Sequence, residues 1–239
     1  MVNNHLQIRL IKNPYPIWIL DNFLEKDIID NINKKWVSQD IGIWGSGYNE
    51  VDGEKNILEN GMRWLNDYEF MPTEISDIIQ YFHSEEFTKN IEKITEIDNL
   101  IIDESRNWSG MRVMLPNSYQ LIHSDARTHP KNGLRKELTC LLYLNEDYDR
   151  ERDEGCLEIW NNDVSERVHE IEPINNRFVI FLNSDTANHG VPVVKSERRS
   201  ITFSILKDAN SNGRTKALFK ARKEDDKKVN EIAKKRLEV

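Results

Sequence analysis

Apolar residues fall three and four apart along the first hundred residues of this chain, and from Gly110 onward they alternate with polar ones. The two periods predict different elements, because alternate side chains share a strand face and every third or fourth shares a helix face. Leu24, Ile28, Ile32 and Trp36 recur at every fourth position and predict one helix. Ile75, Ile78, Ile79 and Phe82 predict a second. A third helix starts at Ser84, whose hydroxyl can cap free N–H groups, with Glu85 and Glu86 in the favourable first turn and Phe87, Ile91 and Ile94 as its buried stripe. The run from Pro14 to Leu20 reads as extended, and Ile41 to Asn66, rich in Gly, Asn and Trp without a clear period, as irregular or weakly paired.

Eight short strands are predicted in the second half: Met111–Leu115, Tyr119–His123, Leu138–Leu144, Leu157–Trp160, Val168–Ile171, Arg177–Phe181, Asn188–Val191 and Arg198–Leu206. Their number and the turn-forming residues between them point to a double-sheet jelly roll or a small barrel. After Asp208 the run Asn210-Ser211-Asn212-Gly213 breaks the pattern. Ala221–Val239 is charge-dense and predicted helical, with Val229, Ile232, Ala233 and Leu237 as a thin apolar stripe on a solvated surface helix. There is no internal repeat. At 239 residues the chain suits one domain with a sizeable core, divided into mostly helical support (1–108), a jelly-roll core (109–207) and a C-terminal helical extension (208–239).

Within this frame His123 and Asp125, two apart on a strand, face the same way, and His189 on a distant strand can complete a triangle with them. Two neutral imidazoles and one carboxylate on one face leave the rest of a six-coordinate metal open, which is how proteins hold non-heme Fe(II) for oxygen chemistry. The H-x-D spacing alone is common by chance, and its surroundings strengthen it. Arg198, Ser200, Thr202 and Ser204 occupy one face of the last strand, and Ile201, Phe203 and Ile205 the other. Because the polar set follows His189 by a short loop, it is expected to face a cavity while the apolar set packs on the N-terminal helices. Arg198 then presents a planar fork suited to a carboxylate, and Ser200 points the same way as a further hydrogen-bond donor.

Composition narrows the class. A net charge of −8 argues against a general nucleic-acid binder, which would show a concentrated basic face. No stretch approaches the length of a membrane span, and Met1–Leu10 lacks the basic region and apolar run of a signal peptide. Two cysteines, Cys140 and Cys156, make no disulfide framework, so a cytoplasmic, reducing location is expected, one that also keeps iron ferrous.

The stretches QLIHSDARTHP, LTCLLYLNEDYDRERDEGCLEIWN, IEPINNRFVIFLNSDTANHGVP and RRSITFSI, spanning most of 120–205, resemble the prolyl-4-hydroxylase-like branch of the Fe(II)- and 2-oxoglutarate-dependent oxygenases. YFHSEEFTKNIEKITEIDNLI and PIWILDNFL resemble bacterial members more weakly. The resemblance implies a double-stranded β-helix, a variety of jelly roll, buttressed by N-terminal helices. It implies that His123, Asp125 and His189 are iron ligands, that Arg198 clamps the distal carboxylate of 2-oxoglutarate, and that the Tyr143 hydroxyl assists, with Ser200 and Thr202 on the same face. Arg199 competes for the clamp, and strand alternation favours Arg198. The implied reaction consumes 2-oxoglutarate and O2 and releases succinate and CO2 while a substrate C–H bond is hydroxylated; ascorbate is a candidate reductant. Two departures stand out: Glu154-Gly155-Cys156 replaces a common Gly-Gly pair, and Ala126 replaces a bulky aromatic after Asp125.

The remaining conspicuous residues have plainer readings. His5, His83 and His169 are expected to be structural or on the surface, Trp160 in the core, and the charged run Asp147–Glu154 a solvated loop. His129 is a weaker candidate for the substrate pocket. Trp44, Tyr48, Trp108, Arg112 and Arg127 fit packing or solvent as well as a cavity border. Around Trp44-Gly45-Ser46-Gly47-Tyr48, flexible glycines between aromatics suit a lid, although an ordinary surface loop is the favoured reading. The leading function is thus a dioxygenase acting on a prolyl residue, an amino acid or another small or peptide substrate. A metal-binding sensing or interaction module without turnover is the alternative. A zinc hydrolase would leave Arg198 and Tyr143 unexplained and lacks a dedicated base. Substrate identity and oligomeric state are not encoded in any of these patterns.

Overall fold

Two runs that read as unbroken apolar sequence, IWIL at 17–20 and FVIF at 178–181, each serve two cores at once. In the computed structural model, which describes residues 1–3, 5–37, 42–46, 59–210, 213–222 and 231, Trp18, Leu20, Phe178 and Ile180 enter one cluster while Ile17, Ile19, Val179 and Phe181 enter another. A strand covered on both faces has no reason to alternate apolar with polar, only one apolar set with the other.

In chain order the described elements are β1 (Gln7–Ile11), β2 (Ile17–Asp21), α1 (Lys26–Lys34), β3 (Gly45–Ser46), β4 (Glu59–Leu65), α2 (Thr73–Phe82), α3 (Glu85–Thr95), β5 (Leu100–Ile101), β6 (Gly110–Ser124), β7 (Leu134–Tyr143), α4 (Arg150–Asp153), β8 (Leu157–Trp160), β9 (Arg167–Ile171), β10 (Phe178–Leu182), β11 (His189–Val191), β12 (Arg198–Asn210) and β13 (Leu218–Lys220). The strands follow the order β1-β2-β10-β7-β12-β6-β11-β8-β9. All the ladders are antiparallel, and the whole forms the expected jelly-roll core. The order curls at β6 into two facing layers, β1-β2-β10-β7-β12 first and β11-β8-β9 second, and β6 belongs to both. Its first half, Gly110–Met114, pairs with β12, and its end pairs with β11 through His123 opposite His189.

The outer core lies between the helices and the first layer. Phe82 stacks on Phe203 with ring centroids 4.8 Å apart, and Phe23 stacks on Phe178 at 4.1 Å. The inner core, including Tyr143, Leu157, Ile159 and Ile171, fills the space between the two layers. Helices α2 and α3 form as predicted: Ile75, Ile78, Ile79 and Phe82 are buried, and the Ser84 hydroxyl accepts from the Phe87 N–H at 3.1 Å. Helix α1 differs. It buries Ile29 and Ile32 and leaves Ile28 half-buried, with Leu24 and Trp36 outside the helix. Since 3.6 residues close a turn, a strict fourth-residue repeat drifts off one face.

Three further corrections concern loops. The region expected to be irregular contains the seven-residue strand β4, paired with both β3 and β6. Its period was hidden by a bulge, where Gly61 at φ +74° coincides with a register shift between Asn60 and Met62. The charged run 147–154 is not simply solvated. It carries α4 and buries Asp153, whose carboxylate accepts from the Ser196 hydroxyl at 2.6 Å. Beyond the predicted break after Asp208, β13 adds a strand to the edge of β6. The apolar stripe expected at Val229, Ile232, Ala233 and Leu237 lies outside the described residues.

Candidate metal centre

His123 and His189 are direct cross-strand partners on β6 and β11, so antiparallel pairing sets their rings side by side, 4.2 Å between centroids. Asp125 follows two residues after His123. Its Oδ1 lies 3.5 Å from His123 Nε2 and 3.9 Å from His189 Nε2. One donor atom from each residue falls within 4.8 Å of the others, and among the described residues this is the one such group. Both imidazoles are aimed from behind: His123 Nδ1 lies 2.9 Å from the Leu121 carbonyl oxygen, and His189 Nδ1 2.9 Å from that of Ala187. With the proton on Nδ1, each Nε2 turns its lone pair inward, toward Asp125. Burial, with His123 alongside, pushes the His189 pKa down from 6.5 to about 3, so the ring is neutral.

Asp125 is held just as firmly. Its outer oxygen, Oδ2, accepts from the Lys136 ammonium at 2.6 Å and from the Thr139 hydroxyl at 2.8 Å, leaving Oδ1 toward the histidines. Burial alone would raise its pKa, but the Lys136 charge beside it, the largest opposing cause, holds the carboxyl well below the usual range. Neither Lys136 nor Thr139 was singled out from sequence. Thr139 was within reach, since it shares a strand face with Tyr143. Lys136 was not: the β7–β12 register shifts so that Leu138 opposes Ile205 but Lys136 opposes Leu206. One extra residue thereby moves Lys136 onto the Thr139 face.

Arg198 is buried, and its guanidinium donates from Nη2 to the Tyr143 hydroxyl at 3.0 Å and from Nε to the Gly155 carbonyl at 2.9 Å. Burial raises the Tyr143 pKa more than the Arg198 charge lowers it, so the phenol keeps its proton and can donate it to an anion. Ser200 stands opposite Tyr143 on the neighbouring strand, and Thr202 opposite Leu141. Arg199 points the other way, pairing with Glu197 at 2.5 Å and lying over the Trp36 ring. Gly155 must be glycine: at φ +76°, a Cβ there would meet Val194 at 2.6 Å. Glu154 also sits at positive φ, +51° with ψ −153°. A Gly-Gly pair would fit this turn without strain, and Glu154 occupies its first position at a cost. A cavity of about 360 Å³ lies against Arg198, walled by Leu144, Tyr148, Asp153, Ser196 and Arg199.

Other candidates fall outside the cluster. His129 is fully buried, with Nε2 3.3 Å from Asp103 and 3.1 Å from the Ser105 hydroxyl. It therefore belongs to a polar network under Trp108 rather than to a substrate pocket. His83 bonds the Ile79 carbonyl and Ser109, and His169 the Asn13 carbonyl. Arg112 donates to Asn66 at 2.6 Å, and Arg127 lies 3.9 Å from Asp185. Trp44 packs with Trp36 against the outer core, as an ordinary loop aromatic would; Gly47 and Tyr48 lie outside the described residues.

Fold and site together define a jelly-roll protein with a two-histidine, one-carboxylate cluster at the junction of its layers. Residues 110–205 match the model of the 2OG-Fe(II) oxygenase superfamily, and this jelly-roll segment belongs to that superfamily. Among solved structures, a Pseudomonas putida prolyl-4-hydroxylase aligns at 17% identity with a TM-score of 0.59, covering 80% of this chain and 92% of that one. A Trichoplax adhaerens prolyl hydroxylase, solved with a hypoxia inducible factor oxygen degradation domain peptide fragment, aligns at 16% identity and 0.57, covering 80% and 84%. The viral collagen prolyl hydroxylase of Paramecium Bursaria Chlorella virus-1 aligns at 17% and 0.51, covering 81% and 96%. These likenesses establish a shared fold. No curated protein matches the sequence. No helix among the described residues is long and apolar enough to cross a membrane.

Proposed function

We propose that the chain is an Fe(II)- and 2-oxoglutarate-dependent dioxygenase that hydroxylates a C–H bond of a prolyl residue, an amino acid or another small substrate. The observation that carries this reading is the convergence of His123, Asp125 and His189, with both Nδ1 atoms engaged behind and both Nε2 atoms facing Asp125 Oδ1. The donor set fits ferrous iron: two neutral imidazoles and one carboxylate oxygen, with Asp125 limited to one free oxygen by Lys136 and Thr139. His123, Asp125 and His189 would hold the metal. Fe(II) bound there, with 2-oxoglutarate and O2, supplies the oxidation that converts substrate C–H to C–OH as 2-oxoglutarate leaves as succinate and CO2.

The rest is this chain's own work. Arg198 and the neutral Tyr143 hydroxyl receive the distal carboxylate of 2-oxoglutarate as a fork and a single donor, with Ser200 and Thr202 on the same face. Burial of Arg198 strengthens that pairing and orients the co-substrate from its far end. The Lys136 ammonium keeps Asp125 ionised and turned inward. The apolar inner core around Ile159 and Phe181 limits water near the site. The peptide held by the Trichoplax neighbour supports a protein-borne substrate as one member of the class. Two free, buried cysteines agree with a reducing, cytoplasmic setting, and the reading takes the whole chain as one oxygenase domain.

The test is succinate formation from 2-oxoglutarate after anaerobic loading with Fe(II), then admission of air, in wild type and His189→Ala. Wild type should bind Fe(II) and turn over 2-oxoglutarate, slowly without substrate, and His189→Ala should lose both with its circular dichroism unchanged. Wild-type iron affinity and turnover in the variant would rule out the triad. Metal binding without succinate, across a panel of prolyl peptides and amino acids, would favour the sensing module.

A further inference from the structure

The segment after residue 205 lies beyond the matched superfamily region, yet it returns to the candidate metal centre. β13 pairs with the end of β6, with Phe219 opposite His123, Leu218 opposite Ser124 and Lys220 opposite Ile122. Without β13, the histidine-bearing end of β6 would form an edge beside β11, and edge segments open locally more easily than paired ones. Cross-strand register sets the Phe219 ring on His123, with centroids 5.1 Å apart and an interplanar angle of 26°. The His123 imidazole is thus packed between Phe219 and the His189 ring, with its Nδ1 engaged by Leu121.

Three cations fix the ends of this strap. Arg214 donates to the Ser124 hydroxyl at 3.0 Å, to the Asp125 carbonyl at 3.2 Å and to Asp185 at 3.0 Å. Its own carbonyl accepts from the N–H groups of Arg127 at 2.7 Å and Thr128 at 2.9 Å. The residues on either side of Asp125 are therefore tied to the loop that leads into β11. Lys220 donates to Asn188, next to His189, at 2.9 Å, and Arg222 pairs with the buried Glu158 of β8 at 2.5 Å.

We propose that residues 213–222 form a strap built into the metal centre, with Phe219 as a positioning residue for His123. The inference rests on the iron-site reading above. Phe219 restricts the imidazole to the plane in which Nε2 faces Asp125, and Arg214 sets the backbone around the carboxylate. Groups that orient metal ligands from behind typically govern metal affinity by about 10–100-fold.

The experiment titrates the metal-free full chain with Co(II) under anaerobic conditions and follows its visible absorption, alongside thermal unfolding of the metal-free protein. Phe219→Leu keeps apolar burial but removes the ring stack; Phe219→Tyr keeps both. Phe219→Leu should weaken Co(II) binding about tenfold and shift the visible band, with unfolding close to wild type, and Phe219→Tyr should restore affinity and band. Arg214→Gln, at a partly exposed position, should give a loss of the same kind and keeps the test open if Phe219→Leu fails to fold. Wild-type Co(II) affinity and spectrum in Phe219→Leu and Arg214→Gln would overturn the strap, as would equal losses in Phe219→Leu and Phe219→Tyr. If wild type itself binds no Co(II), the iron-site reading falls, and the strap with it.

Discussion

The two faces of β12 divide the labour of this protein. Outward, Ile201, Phe203 and Ile205 enter the core beneath the N-terminal helices. Inward, Arg198, Ser200 and Thr202 line the side that bears Tyr143, where the Arg198 guanidinium donates to the Tyr143 hydroxyl. A shift of one residue would exchange the two sets. The outward face contributes stability through burial and ring stacking, whereas the inward face buries the polar groups Arg198 and Ser200, which are proposed to receive 2-oxoglutarate. Neighbours such as Arg198 and Arg199 can therefore have unrelated effects.

The largest effect on this comparison should come from its outward side. Phe203→Ala removes the stack on Phe82 and opens a cavity in the outer core, costing about 3–5 kcal/mol of stability. Urea unfolding should show this, while 2-oxoglutarate affinity, measured at a temperature where the variant is folded, stays near wild type. A specific loss of 2-oxoglutarate binding there would show that the faces are not separable. Arg198→Ala is the inward counterpart. Losing a buried charge-assisted contact costs about 2–5 kcal/mol, so 2-oxoglutarate should bind well over tenfold more weakly by calorimetry, while Arg199→Ala changes little. The reverse ranking would mean that the inward face has been misassigned.

Keeping His189 neutral and buried has its own cost, visible in the metal-free protein as pH dependence. Its folded pKa, about 3, lies below the unfolded 6.5, so between those values the unfolded chain binds more protons. This contribution is complete above pH 6.5 and is lost as pH falls toward 3, at no more than about 1.4 kcal/mol per pH unit. Urea unfolding at pH 7 and pH 5 should show the loss, and His189→Gln should flatten it; an unchanged slope would place the titration elsewhere. The smallest effect concerns the turn supporting Arg198. Glu154→Gly relieves a backbone strained at positive φ and should stabilise by about 1 kcal/mol. Its exposed ion pair with Lys195 contributes little. A fall in melting temperature would contradict the strain.

Much of the site was legible because its residues obey strand alternation and lie in ordered motifs. His123 and Asp125 share a face by spacing alone, and Arg198 was separated from Arg199 by the same rule. Thr139 obeyed it too and was overlooked among apolar neighbours. What alternation could not show were its local failures: the Gly61 bulge that hid β4, and the extra residue in β7 that brings Lys136 to Asp125. Helix α1 was displaced for a related reason, since a repeat of four only approximates a 3.6-residue turn.

The sequence by itself determined which segments alternate, which faces are polar and which residue types can hold a ferrous ion, because these depend on local geometry and side-chain chemistry. Only the tertiary structure decided that His123 stands opposite His189, that Lys136 and Thr139 occupy the outer oxygen of Asp125, and that Phe219 covers His123 from a strand beyond the matched region. Each of these depends on register between strands far apart in the chain, and register is settled by how whole faces pack together.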